Sequence, residues 1–185
     1  MKSRQIYLYL KNADEDTLVA FLSSYPGLTI LKKNDGMLVA AAEYDFDLST
    51  LQALRELSIQ EFYQDFSCFI VPESADFPIT PVVLQLPRLT RGVYTVESII
   101  PEIVFLNLTA LKLSLKNYYL QLVGTETIDS VLGFVKENLN ASQAAKRLFM
   151  HRNTLNYRLD HFVTKTGIDI RTFKGALAIY LLFRP

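Results

Sequence analysis

The chain carries one cysteine, Cys68, in 185 residues. A lone thiol excludes an internal disulfide and a cysteine-based zinc finger. With an N-terminus that turns polar after a few apolar residues, it predicts a reducing, cytoplasmic setting. Histidine is almost as scarce: His151 and His161 stand ten positions apart with no cysteine near them, a spacing that makes no metal site. Net charge is missing too, because 19 Lys and Arg balance 19 Asp and Glu. No apolar run is long enough for a bilayer. The most apolar stretch, residues 103–115, is broken by Asn107, Thr109 and Lys112 and falls short of the roughly 18 to 20 residues that a spanning helix needs. Internal repeats, low-complexity tracts, phosphate-binding glycine loops and nucleophile–base pairs are all lacking. Neither a membrane protein nor an enzyme is expected, and no cofactor is called for.

What is present is ordinary globular material, 50% apolar and 21% charged, with length for one large or two small domains. The zero net charge hides a division. Residues 126–185 hold nine Lys or Arg against five Asp or Glu, whereas residues 1–125 hold ten against fourteen. A basic tail behind an acidic front is compatible with nucleic-acid contact by the tail.

Strand and helix signals alternate through the front of the chain. Residues 5–10 (QIYLYL) are rich in strand formers. Residues 14–25 open with carboxylates suited to a helix start, repeat apolar side chains at Leu18, Phe21 and Leu22, and stop at Pro26-Gly27. Residues 28–33 and 37–43 flank Asn34-Asp35-Gly36, which supplies the positive φ angles of a tight hairpin. A second helix over residues 47–63 is expected to bury Leu48, Leu51, Leu54 and Leu57, and residues 66–71 (FSCFIV) return as a strand. The order is βαββαβ, the ferredoxin-like arrangement. Residues 1–75 are therefore expected to form a ferredoxin-like α+β domain. Pro72, Pro78, Pro81 and Pro87 then mark a connector over residues 76–95, where helix is blocked and any strand is a short edge piece. Residues 96–124 resume helix, broken near Asn107. Their leucines are too many for one buried stripe, so the segment serves either as core or as a dimerisation surface.

The last domain, residues 125–185, is all helical. Ile128, Val131, Leu132 and Val135 mark one amphipathic helix. Ser142 is a suitable N-cap for a short second helix with Ala144, Ala145 and Leu148 inward, and a third helix starts at Arg152 or Asn153 and is closed by Gly167. Two short helices joined by a few residues make a helix-turn-helix candidate. On the third helix Leu155, Leu159, Phe162 and Val163 define the core face. Asn153, Tyr157, Asp160, His161 and Thr164 lie opposite, with Arg152 at the helix start and Arg158 at the boundary. Arginine suits guanine, asparagine suits adenine, and tyrosine reaches a phosphate.

The run AAKRLFMHRNTLNYRLDHFVTKTGIDI, residues 144–170, also resembles the C-terminal helix-turn-helix of PucR/CdaR-type bacterial transcriptional regulators and, more distantly, the Fis-like helix-turn-helix. His151-Arg152-Asn153-Thr154, Tyr157-Arg158-Leu159 and the Thr-Gly stop carry the likeness. The resemblance implies sequence-specific binding of double-stranded DNA by a homodimer, under a small-molecule effector. The implied DNA-binding set is Ser142, His151, Arg152, Asn153, Thr154, Asn156, Tyr157 and Arg158. Bulky Phe149-Met150 departs from the small residue often found in such turns. Some regulators of this type carry a degenerate cyclase-like domain built on the same βαββαβ order. Here the hairpin reads Asn34-Asp35-Gly36-Met37 and not glycine-glycine-aspartate-glutamate, so the front domain is expected to be non-catalytic. The alternative function is a ligand-sensing or protein-interaction module whose helix-turn-helix no longer binds DNA.

Overall fold

Alternating exposure builds the first strand, β1 (Ser3–Tyr9): Ile6 and Leu8 are buried while Gln5 is exposed. The computed structural model describes residues 3–10, 14–34, 36–43, 46–74 and 76–184. Asp35 of the expected hairpin turn lies outside them. The chain divides into two units, Met1–Val71 with Ile79–Thr95, and Pro72–Pro78 with Val96–Pro185.

In the front unit β1 is followed by α1 (Glu15–Ser23), β2 (Leu28–Asn34), β3 (Met37–Glu43), α2 (Leu48–Phe62) and β4 (Ser67–Ile70). The βαββαβ order expected from the sequence is present. The sheet runs β2-β3-β1-β4, each neighbouring pair antiparallel. Asp14 caps α1, its carboxylate accepting from the Asp16 and Thr17 amides; Asp47 caps α2 through the Thr50 amide at 2.8 Å. The side-chain and backbone donors of Ser49 and Thr50, the Ser49 hydroxyl first, hold the Asp47 carboxyl down at about 2. Leu18 and Leu22 of α1 and Leu51 and Leu54 of α2 are buried with Ile6, Leu8, Leu38 and Ala40 in one core. Leu57, expected in that row, is partly exposed. Helical periodicity carries the line from Leu51 and Leu54 to Ser58, whose hydroxyl donates to the Gln64 carbonyl at 2.8 Å.

The proline-rich stretch is more ordered than its composition predicts. α3 (Ile79–Val83) forms despite Pro81, because a proline in the first helical turn removes an N–H that has no intrahelical acceptor. A 3-10 turn over Leu86–Arg88 follows. β5 (Val93–Tyr94) then adds to β4 in parallel, Cys68 opposite Val93. This segment clusters with the front unit, so it is not a free connector.

The second unit consists of α4 (Val96–Phe105), α5 (Thr109–Val123), α6 (Thr125–Lys136), α7 (Ala141–Arg147), α8 (Arg152–Thr166) and α9 (Phe173–Phe183). The break near Asn107 is real, with Asn107 at φ 53°. α4 packs on α9, and α5 on α6, α8 and α9. The helices expected as a linker thus share one unit with the C-terminal helices. Ile99, Ile100, Leu115, Tyr119, Phe162, Ile179 and Leu182 fill its interior. Burial pushes the Tyr119 hydroxyl well above its ordinary range. Gly175 is required by close approach: a Cβ there would lie 2.2 Å from the Asp169 carbonyl oxygen.

Candidate nucleic-acid interface

α6, α7 and α8 pack on one another, and α7 and α8 are joined by the four residues Leu148 to His151. α7 begins earlier than the sequence predicts. Asn140 is its N-cap, the side-chain oxygen accepting from the Ser142 and Gln143 amides at 3.1 Å each. Ser142 is accordingly not the cap and lies in the first helical turn, exposed. Both residue types cap well; Asn140 wins because its backbone is extended where the chain enters the helix. Ala144 and Ala145 are buried and Leu148 is half-buried, as the apolar spacing requires. Gly133 of α6 admits Leu148 closely, since a Cβ there would meet the leucine methyl at 2.8 Å.

The turn holds Phe149 at φ 51°, a region that disfavours side chains with a Cβ, and leaves its ring 97% exposed. His151 caps α8. Its Nδ1 accepts from the Asn153 amide at 3.1 Å, which puts the ring proton on Nε2. At the far end Gly167, at φ 71°, closes the helix, its amide donating to the Val163 carbonyl.

Between those caps Leu155, Leu159, Phe162 and Thr166 are buried, while Val163, expected with them, is half-buried. Arg152, Asn153, Thr154 and Tyr157 are exposed, and Asn156 is half-buried. Tyr157 is 72% exposed and lies on His161 one turn on, ring centroids 6.5 Å apart and planes 16° from parallel. Arg158, also expected among the DNA-contacting residues, has its donors engaged within the domain: Nη2 reaches the Glu126 carboxylate at 2.5 Å and Nη1 the Ser130 hydroxyl at 3.1 Å, both on α6. Six of the eight sequence-selected residues therefore share the exposed start of α8 and its rim, namely His151, Arg152, Asn153, Thr154, Asn156 and Tyr157. Ser142 stands across a cleft from them, and Arg158 turns inward.

That cleft is polar, about 540 Å³ in volume, and is lined by Asn138, Asn140, Ser142, Arg152, Asn156 and Arg171 among others. Arg171 was not picked out by sequence reasoning. It lies between α8 and α9, outside any helical period, and its Nη2 donates to Asp160 of α8 at 2.7 Å. Among the described residues no group of three or more His, Cys, Asp or Glu side chains is placed to hold a metal ion. Among them also no helix is long and apolar enough to cross a membrane.

A capped short helix, a four-residue turn and a second helix with one buried and one polar face define a helix-turn-helix domain. Residues 127–184 match the PucR C-terminal helix-turn-helix domain. Three curated relatives each match a short stretch of the chain. They are the uncharacterized protein YxkF of Bacillus subtilis, 47% identical over 49 residues, the proline-responsive transcriptional activator PutR of Bacillus subtilis, 35% over 57, and the carbohydrate diacid regulator of Escherichia coli, 35% over 52. These matches take in 26%, 31% and 28% of this chain but only 16%, 14% and 14% of the relatives. A crystal structure of a regulator of polyketide synthase expression from Bifidobacterium adolescentis is similar in fold. It covers 98% of this chain and 80% of its own, with a TM-score of 0.52 and 18% identity.

Proposed function

We propose that the chain is a sequence-specific transcriptional regulator that binds double-stranded DNA as a homodimer, laying the start of α8 in the major groove. The observation that carries this is the exposed row Arg152, Asn153 and Tyr157 on a helix whose opposite side is buried and whose start is capped by His151. Arg152 and Asn153 supply the donors that pair with base edges, Thr154 and Tyr157 suit phosphate, and Ser142 reaches the backbone from the other helix. Arg158 enters as a positioning residue that holds α8 against α6 through Glu126 and Ser130. The relatives named as a transcriptional activator and as a regulator support the reading, and both names mention a small molecule, proline and a carbohydrate diacid. A small-molecule effector is accordingly part of the proposal.

The front unit is proposed to be a ferredoxin-like, non-catalytic module. Its order β4-β1-β3-β2 with every pair antiparallel supports the first part. For the second, the Lys33 ammonium stands 3.3 Å from Glu15 and 2.7 Å from Asp16, which pairs these two carboxylates with a cation.

The surface available for pairing two copies is narrower than the leucine count predicts. Leu111 and Leu115 are buried within the second unit, whereas Phe105 is 70% and Leu113 55% exposed. Two helix-turn-helix units related by a two-fold axis read half-sites about one helical turn apart, which one unit cannot do. Light scattering tests the pairing: a mass twice the 21.1 kDa of one chain, halved by Phe105→Glu with Leu113→Glu, is expected. The DNA reading is tested on a selected duplex, where Arg152→Ala or Asn153→Ala is expected to cost about 1 to 3 kcal/mol. Equal affinity of both variants and the parent would overturn it.

A further inference from the structure

The cleft beside α8 holds polar groups and a cation, Arg171, beyond the row Arg152, Asn153 and Tyr157. Asn138, Asn140, Ser142 and Asn156 bring amides and a hydroxyl to it, and Arg152 and Arg171 bring two guanidinium groups from separate segments. We infer that this cleft receives a phosphate of the DNA backbone and that Arg171 is the cation that holds it, Arg152 at its rim being left to the base edges, an inference that rests on the DNA-binding reading above.

Three observations lead there. Arg152, Asn156 and Asp160 recur every four residues, so one side of α8 forms a continuous wall, adjacent to the side that presents Asn153 and Tyr157. A group held against that wall lies next to whatever the exposed helix start reads. Next, Arg171 is fixed at both ends. Its amide donates to the Asp169 carboxylate at 3.0 Å, the Thr172 hydroxyl closes the same turn on the Asp169 carbonyl at 2.7 Å, and Nη2 is tied to Asp160. A guanidinium held in place by one edge loses little side-chain freedom when its other donors take a phosphate oxygen. Lastly, the described residues that line the cleft include Arg152 and Arg171 and no carboxylate, and the Asp160 carboxylate beside it is paired with Arg171, so the opening has the positive character that an anion requires. A phosphate seated there fixes the position of α8 along the duplex without reading sequence.

The test is the salt dependence of binding, measured with the full chain on two selected duplexes of different affinity. Losing one phosphate contact lowers the slope of log affinity against log salt by about one and weakens binding about tenfold at roughly 0.1 M salt. Arg171→Ala is expected to do both, equally on the two duplexes, while Arg171→Lys keeps the slope. Asp160→Ala breaks the same ion pair but leaves the cation, so it too is expected to keep the parent slope. A parent slope in Arg171→Ala, or an equal loss in Asp160→Ala, would overturn the inference and leave the DNA-binding reading standing. If the parent chain binds no duplex at all, both fall.

Discussion

Arg158 and Glu126 join α8 to the helix behind it: the guanidinium of α8 meets the carboxylate of α6 at 2.5 Å, and the same arginine donates to Ser130. The arginine is mostly covered and the glutamate is exposed, so the pair contributes modestly and is weakened by salt. Arg158→Ala is expected to lower unfolding free energy by about 0.5 to 1 kcal/mol in dilute buffer. In molar salt, Glu126→Gln should approach the parent in urea titrations. An unchanged midpoint for Arg158→Ala would show that packing alone holds α8.

Two glycines separate tight packing from obligatory packing. At Gly133 an added methyl meets the flexible end of Leu148, whereas at Gly175 it meets the backbone of Asp169 at 2.2 Å. Gly175→Ala is expected to cost more than Gly133→Ala, with about 1 to 3 kcal/mol for overpacking as the scale. Thermal melts of the two variants rank them, and the reverse order would contradict the packing described for α9.

Phe149 holds an unfavourable backbone conformation with almost no contact to repay it in the folded domain. Asparagine tolerates φ near 51° far better, so Phe149→Asn is expected to stabilise the domain by about 1 kcal/mol. A destabilised variant would show that the ring packs in solution.

Cys68 lies fully buried beside β5, and burial pushes its thiol up to about 12 from 9.0. Because the folded value is raised, the stability tied to the protonated thiol is complete below about pH 9 and is lost as pH climbs toward 12. Thiol reagents at pH 8 should therefore label the native chain only as fast as it opens. Rapid labelling without unfolding would contradict the burial.

Local chemistry made much of this legible in the sequence. The spacing of Leu155, Leu159 and Phe162, the Gly167 stop and the Asp14 and Asp47 caps act within a few residues, and each appears where local rules place it. Long-range pairings were not legible. Arg158 and Ser130 are 28 residues apart, and nothing local marks Arg158 as facing α6. Arg171 likewise joins the cleft only because the chain turns back after Gly167. The choice of Asn140 over Ser142 as cap depended on where the preceding loop became extended. β5 is a short edge piece of the kind that the proline-rich stretch leaves room for.

The most direct measurement is selection of fragments from the chain's own genome on the purified protein, repeated at several salt concentrations and with Arg152→Ala and Asn153→Ala. A small reproducible set of fragments, retained in a salt-sensitive way by the parent and lost by both variants, is the expected result. Retention of no fragment, or of the same fragments by parent and variants alike, would contradict DNA reading by α8.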